Sequence, residues 1–167
     1  MDNLIAMAEI IDIKHLSHKI DFLRSKKKDL IIVATNGCFD ILHIGHIRSL
    51  QKAKSLGNVL VVGLNSDESV KKIKGATRPI NNENYRAEML AALSCIDIVT
   101  IFKEETAEKF LEVLKPNIYV KGEDYDLENI PESKVVKNLG GKIIQIPNVA
   151  GYSTTALINK LLSIKKN

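Results

Sequence analysis

Short apolar runs alternate with helix-like segments along this chain, and that alternation restricts its fold more than any other feature. Runs rich in β-branched residues occupy 30–34, 59–64, 96–102, 118–121 and 142–146. Because each is followed by a segment with apolar residues at helical spacing, the strands are expected to pair in parallel through right-handed crossovers. We therefore predict a single α/β domain with a doubly wound, parallel, five-stranded sheet.

The helices between these strands also have sequence signals. Asn81 and Asn82 are plausible caps for a helix that runs to Leu93, and Ser153 is expected to cap the last helix. A further helix is predicted over 13–25, ahead of the first strand. We expect residues 1–28 to form an N-terminal helical segment that packs on a domain over 29–167.

Composition excludes several classes of protein. The chain has 167 residues, of which 45% are hydrophobic and 26% are charged, as in an ordinary globular domain. Its apolar stretch Leu4–Ile11 is too short to span a bilayer and is interrupted by Glu9, and no secretory signal is apparent. That stretch is expected to pack either on its own domain or on a partner.

Cysteine usage and charge indicate the compartment and the type of ligand. Cys38 and Cys95 lack the spacing of a metal site or a disulfide framework, so a reducing cytoplasm is expected. The formal charge is +4, but the lysines are scattered. This pattern favours an anionic small-molecule substrate over nucleic acid, and no membrane partner is expected.

The segment 36–46, Asn-Gly-Cys-Phe-Asp-Ile-Leu-His-Ile-Gly-His, carries the strongest functional signal. A strand runs here into a glycine turn and then into the start of a helix. His43 and His46 are three apart, so they share a helix face, and Gly45 lets a phosphate approach the backbone. The free N–H groups of the helix N-terminus favour the same anion.

Two other polar segments follow predicted strands. Residues 65–79 form a long connection that we interpret as a mobile flap, in which Lys74, Arg78 or Lys71 neutralises phosphate as it closes. Gly151-Tyr-Ser-Thr-Thr155 begins the last helix and offers hydroxyls and free N–H groups. Parallel strands end at one edge of a sheet, so these segments are expected to meet there.

Three residues have alternative interpretations. Asp40 is expected to orient a histidine, to approach a metal ion, or simply to cap the following helix. Asn36 and Asn65 either contact a ligand or satisfy backbone groups at strand ends.

Taken together, the motifs resemble those of a known family. His43-Ile-Gly-His46 is similar to the H-x-G-H signature of the nucleotidyltransferase superfamily, which has a Rossmann-like fold, and Ser153-Thr-Thr155 is similar to its second signature. The segments 119–125 and 131–134 resemble the V-K-G-G-D-Y and G-S-K stretches of heptose 1-phosphate adenylyltransferases. Glu123 and Glu132 depart from that pattern, because each replaces a glycine.

The resemblance implies transfer of AMP from ATP to D-glycero-D-manno-heptose 1-phosphate, a sugar 1-phosphate, with Mg²⁺ as cofactor and a homodimer as the common assembly. No cluster of side chains is assigned as a metal site. In many members a sugar kinase forms the other half of the chain, and we expect a free-standing transferase here.

The resemblance also implies roles for individual residues at the site. These are catalytic roles for His43, His46, Lys74 and Arg86, nucleotide contacts from Asn36, Gly37, Cys38, Phe39, Asp40, Gly45, Lys121, Gly122, Asp124, Ser153, Thr154 and Thr155, and substrate contacts from Asn65, Arg78, Glu123 and Tyr125.

Two alternatives remain open at this point. One is a cytidylyltransferase of glycerol phosphate or a related small phosphate ester, which would have an arginine where this chain has Asn148. The other is a non-catalytic nucleotide-binding module. The presence of both histidines favours an enzyme, since binding alone does not require the pair.

Overall fold

A computed structural model describes residues 7–147 and 151–164. Its strands are β1 (Glu9–Ile10), β2 (Ile32–Gly37), β3 (Val59–Asn65), β4 (Ile98–Phe102), β5 (Ile118–Gly122) and β6 (Lys142–Ile146). Its helices are α1 (Ile13–Lys26), α2 (Ile44–Lys54), α3 (Asp67–Lys74), α4 (Glu83–Ala91), α5 (Glu108–Leu114), α6 (Pro131–Asn138) and α7 (Thr154–Ile164). Asn148 and the first part of the stretch Leu4–Ile11 lie outside the described residues.

All six strands pair in parallel, in the order β1-β4-β3-β2-β5-β6. The chain builds outward from β2 through β3 to β4 on one side and then through β5 to β6 on the other. The point at which this order reverses therefore lies between β2 and β5, where ligands bind in such sheets.

The predicted five-stranded sheet is corrected to six strands. The additional strand, β1, pairs Glu9 with Ile98 and Ile10 with Val99 at the sheet edge. It has only two residues, so it has no alternation by which a sequence could indicate it. The doubly wound parallel plan itself is confirmed.

Two apolar cores cover the two faces of the sheet. On one face Leu50 of α2 and Leu90 of α4 pack on Val62 and other strand residues. On the opposite face Leu16 of α1 and Phe110 of α5 belong to the second core. The sheet is thus buried on both sides, which explains why its strands are continuous apolar runs.

Capping side chains set the helix starts as predicted from Asn82 and Ser153. Asn82 Oδ1 accepts the Tyr85 N–H at 3.0 Å, and Ser153 Oγ accepts the Ala156 N–H at 3.0 Å. None of the helices in the described ranges has the length and apolar character needed to cross a membrane.

Candidate active site

A cavity of about 590 Å³ opens at the carboxyl ends of the central strands, between the starts of α2 and α7. Its lining combines histidines, hydroxyls, basic side chains and backbone. The residues are Thr35, Asn36, Gly37, Cys38, Phe39, Asp40, His43, Gly45, His46, Ser49, Leu50, Asn65, Ile73, Lys74, Arg78, Glu105, Val120, Lys121, Gly122, Asp124, Tyr125, Glu132, Ile146, Tyr152, Ser153, Thr154 and Thr155. We call this cavity the pocket. Most of the site residues predicted from separate segments of the sequence line this pocket.

His43 is itself the N-cap of α2. Its Nδ1 accepts the backbone N–H of His46 at 3.4 Å, which is a long hydrogen bond with the geometry of a helix cap. A nitrogen that accepts a hydrogen bond carries no proton, so this contact favours the neutral tautomer in which Nε2 bears the hydrogen. Burial also lowers the pKa of His43 below its usual value, which favours the neutral ring.

His46 stacks on His43, with ring centroids 3.7 Å apart and an interplanar angle of 22°. Its Nδ1 is buried and has no hydrogen-bond partner within the described ranges. Burial, followed by the charge of His43, lowers the pKa of His46 to about 4. Both rings are therefore neutral near pH 7, and each carries one N–H that can donate a hydrogen bond.

Gly45 lets the two histidines approach each other across the first turn of α2. A Cβ at this position would lie 2.9 Å from both Cε1 and Nδ1 of His43. It would also lie 3.6 Å from Tyr152 Cβ, which places the α7 start beside the α2 start. The N–H groups of two helix N-termini consequently lie near one pocket wall, where they favour phosphate.

Asp40 makes contacts that the sequence did not indicate. Its Oδ2 accepts from Arg78 Nε at 2.5 Å, and its Oδ1 accepts the N–H groups of Ile80 at 2.7 Å and Asn81 at 3.1 Å. Both carboxylate oxygens are thereby used, and the residue is only 1% exposed. The two backbone contacts hold the segment that leads into α4. The contact with Arg78 Nε sets the orientation of the Arg78 side chain at the pocket.

The predicted direct catalytic role of Arg86 is corrected. Its side chain is fully buried, and it is absent from the pocket lining. Its guanidinium donates to the carbonyls of Cys38, Asn65 and Asn81 at 2.5, 2.9 and 3.0 Å, and to Asp67 Oδ1 at 2.7 Å. Arg86 therefore supports the pocket wall from behind, since four hydrogen bonds join its guanidinium to protein acceptors.

The flap interpretation of residues 65–79 is also corrected in part. Residues 67–74 form helix α3, capped by Ser66 Oγ, which accepts the Ser69 N–H at 3.2 Å. Lys74 lies at the end of this helix and lines the pocket, as does Asn65, whose amide donates to Ser69 Oγ at 2.9 Å. The two residues are thus presented by ordered backbone.

Lys121 lies on the β5 side of the pocket in a polar cluster. Its Nζ donates to Asn36 Oδ1 at 3.0 Å, and the same oxygen accepts from Tyr119 Oη at 2.5 Å. Burial lowers the pKa of the Lys121 ammonium, and the Glu132 carboxylate opposes that change. Burial likewise raises the pKa of the Cys38 thiol, which agrees with a packing residue and not with a nucleophile.

Glu123 is corrected as a substrate contact. It is exposed and absent from the lining, whereas Gly122, Asp124 and Tyr125 around it are lining residues. The Glu123 N–H donates to Ile146 O at 3.0 Å, which fixes the backbone as β5 ends in a turn. The turn directs the neighbouring positions, and not Glu123, toward the pocket.

Some lining residues were not predicted from the sequence. They are polar or aromatic side chains without a spacing signal: Thr35, Ser49, Glu105, Glu132 and Tyr152. Thr35 Oγ1 donates to Val120 O at 3.1 Å, so it joins β2 to β5 at the reversal point. Only the departure of Glu132 from the family pattern gave any signal.

A family model described as "Cytidylyltransferase-like" matches residues 34–160. This range includes both histidines and the hydroxyl segment at the α7 start, and it covers more than half of the chain. The chain belongs to the cytidylyltransferase-like family. The superfamily predicted from the H-x-G-H signature is thereby confirmed.

The chain is also similar to curated proteins, each of which is longer than this chain. The chain is 47% identical over 156 residues to "Bifunctional protein HldE" of Citrifermentans bemidjiense, covering 93% of this chain and 32% of that protein. It is 53% identical over 131 residues to the protein of the same name from Geobacter metallireducens, covering 78% and 27%. This family member thus spans about a third of the length of the curated relatives that it matches.

Solved structures agree with the fold. A crystal structure of the "lipopolysaccharide core biosynthesis protein" from Thermoplasma volcanium has a TM-score of 0.58 at 31% identity, covering 72% of this chain and 97% of that one. Pantoate-beta-alanine ligase from Francisella tularensis, complexed with an ATP analogue and beta-alanine, has a TM-score of 0.59 at 20% identity. The match covers 96% of this chain and 80% of the ligase chain. At 20% identity, this similarity supports the fold alone.

Proposed function

We propose that this protein is an adenylyltransferase that moves AMP from ATP to D-glycero-D-manno-heptose 1-phosphate, giving ADP-heptose and pyrophosphate. The observation that carries the proposal is the meeting of His43, His46 and the Ser153–Thr155 segment in one pocket. These groups suit a triphosphate, because they combine neutral N–H donors, hydroxyls and two helix N-termini.

The acceptor is proposed from two further findings. The segment after β5 resembles that of heptose 1-phosphate adenylyltransferases, and the curated relatives at 47% and 53% identity are both named HldE. A solved relative is titled a lipopolysaccharide core biosynthesis protein, which favours a role in surface polysaccharide synthesis. Glycerol phosphate with CTP is the competing pair.

The reaction needs positioning and charge stabilisation more than proton transfer. A phosphate oxygen of the acceptor attacks the α-phosphorus of ATP, the bond from that phosphorus to the bridging oxygen breaks, and pyrophosphate leaves. A phosphomonoester has a second pKa of about 6, so the attacking oxygen is already ionised near pH 7. No general base is required.

The pocket residues would stabilise the charge that develops during this step. The Nε2–H of His43 and the ring of His46 donate toward the α-phosphate and the leaving oxygens, while Ser153, Thr154 and Thr155 receive the outer phosphates. Lys74 and Arg78 add positive charge at the pocket wall. Neutral histidines suit this role, since they donate hydrogen bonds throughout the physiological pH range.

Mg²⁺, the cytoplasm and a homodimer complete the proposal. Within 7–147 and 151–164 no group of three or more His, Cys, Asp or Glu side chains is arranged to hold a metal, and both oxygens of Asp40 are used. Such a pocket fits an ion carried mainly by the triphosphate oxygens, where its charge would offset that of the phosphates. The cytoplasm supplies ATP, and a homodimer is common among the proteins that this chain resembles.

The decisive test is Mg²⁺-dependent pyrophosphate release with both anomers of D-glycero-D-manno-heptose 1-phosphate, comparing ATP with CTP. We expect release with ATP and little with CTP. Preference for CTP with glycerol 3-phosphate would replace this proposal with the competing one. Nucleotide binding without release from any acceptor would support a non-catalytic module.

His46→Ala tests the assigned catalytic role in the same assay, and His15→Ala is its matched control. We expect a loss of at least 100-fold in kcat/KM, the scale seen when a positioned charge-stabilising donor is removed. His15→Ala, at an exposed position on α1, should retain wild-type turnover. Similar thermal unfolding curves for the two variants would show that the loss is catalytic, and near-wild-type turnover by His46→Ala would contradict the assigned role.

A further inference from the structure

Glu132 is a buried carboxylate in the pocket that the reaction as proposed does not use. It lies in the first turn of α6 and is only 5% exposed. The heptose 1-phosphate adenylyltransferase pattern that this segment resembles has a glycine at this position, so the side chain is a departure from that pattern. A charge is costly to bury without a partner, so the contacts of Glu132 indicate its purpose.

Those contacts point to Lys121 on β5. Glu132 Oε1 lies 4.0 Å from Lys121 Nζ, and the two side chains are each 7% exposed. The same oxygen accepts the Ala107 N–H at 3.1 Å, next to the start of α5. Glu132 therefore has one structural contact, with Ala107, and one electrostatic contact, with Lys121.

Lys121 is surrounded on its other sides by an amide, two aromatic rings and further polar groups. Asn36 Oδ1 accepts one of its hydrogens at 3.0 Å, and the rings of Tyr125 and Tyr119 have their centroids 4.4 and 5.4 Å from Nζ. Asp124 from the turn after β5 and Cys38 from the segment after β2 also interact with it electrostatically. Glu132 is the largest of the favourable charge interactions.

We propose that Glu132 is a positioning residue that acts through Lys121, keeping its ammonium charged and directed at the pocket against the cost of burial. The expected effect on turnover rests on the proposed function, whereas the effect on Lys121 itself does not. With glycine at 132, the ammonium would lose the Glu132 carboxylate while remaining buried. Lys121 would then release its proton at lower pH.

Glu132→Gln separates the two contacts of Glu132. The amide oxygen of glutamine can still accept the Ala107 N–H, so the structural contact is preserved while the charge is removed. We expect the Lys121 titration, followed by NMR of ¹³Cε-labelled lysine and assigned with Lys121→Met, to move down by about one pH unit. The alkaline limb of the kcat/KM profile should move in the same direction.

Two variants complete the test. Glu128→Gln removes the same charge from an exposed neighbour on the same side of the molecule and should leave both titrations unchanged. Glu132→Asp keeps the charge and should retain the wild-type alkaline limb. If the Gln variant does not fold, Glu132→Gly removes the same charge and is compared with Glu132→Asp in its place. An unmoved Lys121 titration in Glu132→Gln, or a shift of the same size in Glu132→Asp, would overturn the proposal.

The Lys121 titration and the pyrophosphate assay test separate hypotheses, so either hypothesis can be rejected while the other stands. If the wild-type protein released no pyrophosphate, the proposed function would fall while the NMR comparison still measured the Glu132–Lys121 coupling. Normal turnover with an unshifted Lys121 would instead reject the coupling and leave the proposed function in place.

Discussion

Single atoms decide how the two histidines can act. His43 Nδ1 is occupied by the His46 N–H, and His46 Nδ1 is buried without a partner in the described part of the chain. A protonated imidazole needs acceptors for both of its N–H groups, and neither ring is provided with them. The site therefore favours neutral rings, and their spacing in the sequence could not reveal this preference.

The pKa of His46 gives the first residue-scale prediction. Because burial and His43 lower it to about 4, the His46 ring should stay neutral from pH 8 down to about 5. The measurement is an NMR titration of the His46 Cε1–H signal, assigned with His46→Gln. A midpoint above pH 6 would contradict the buried, unpaired environment.

The same shift has a consequence for stability. The unfolded chain takes up this proton near pH 6.5, whereas the folded protein takes it up only near pH 4. Between these values the unfolded state binds more protons, so His46 makes the free energy of unfolding fall as pH falls from 6.5 towards 4. Its full contribution is present above pH 6.5. Comparing the pH dependence of urea unfolding in wild type and His46→Gln measures this slope.

Among the elements, those with a clear period were predicted well and those without one were not. Strand β3 begins at the predicted residue Val59, and its apolar run is buried on both faces. Strand β6 begins at the predicted residue Lys142, directly after the Gly140-Gly141 pair that marks the preceding turn. Helix α3 was interpreted as a loop, since its sequence is mostly charged and polar and only Val70 is a buried apolar residue. Its two apolar residues, Val70 and Ile73, are three apart as on a helix face, but two positions are too few to distinguish a helix from a polar connection.

The site was predictable where chemistry depends on spacing and not where it depends on burial. His43 and Gly45 lie close together in the sequence, as do the three residues of the Ser153–Thr155 segment, and the pocket contains both groups. Arg86 illustrates the limit. A guanidinium that faces substrate and one that holds backbone carbonyls together look the same in a sequence.

The α2 N-terminus gives an element-scale prediction. Gly45→Ala would place a Cβ 2.9 Å from the His43 ring, so the ring must shift from its position against His46. We expect kcat/KM to fall at least tenfold. Steady-state kinetics measure the loss, and urea unfolding checks that the fold is retained.

A double variant tests the route of that effect. If the new methyl group acts through the imidazole, Gly45→Ala should add little to the loss already caused by His43→Ala. Losses that multiply would show that the methyl group blocks the ligand directly.

For the whole molecule, the distance between the sheet and its helices depends on small residues in the central strands. Gly63 in β3 faces Phe110 of α5, and a Cβ there would lie 2.8 Å from Phe110 Cε1. Phe110 is fully buried, so its ring has no open space into which to move. Close packing of this layer therefore requires the glycine.

Gly63→Ala is accordingly expected to lower the free energy of unfolding by about 1–3 kcal/mol, the usual cost of overpacking a core. Phe110→Leu, which removes ring atoms at the contact, should reduce that penalty when the two changes are combined. Urea unfolding of the two single variants and the double variant gives the coupling. Additive losses would show that Phe110 is not the residue that limits the space.

The short strand β1 has a consequence for how the protein behaves at high concentration. A long exposed edge of a parallel sheet can recruit a strand from another molecule and start aggregation. Here the N–H groups of Glu9 and Ile11 pair with the carbonyls of Asp97 and Val99, and Glu9 forms an ion pair with Lys19. The edge strand is thus only two residues long and has a charged pair beside it. It offers few backbone N–H and C=O groups with which a strand of another molecule could pair.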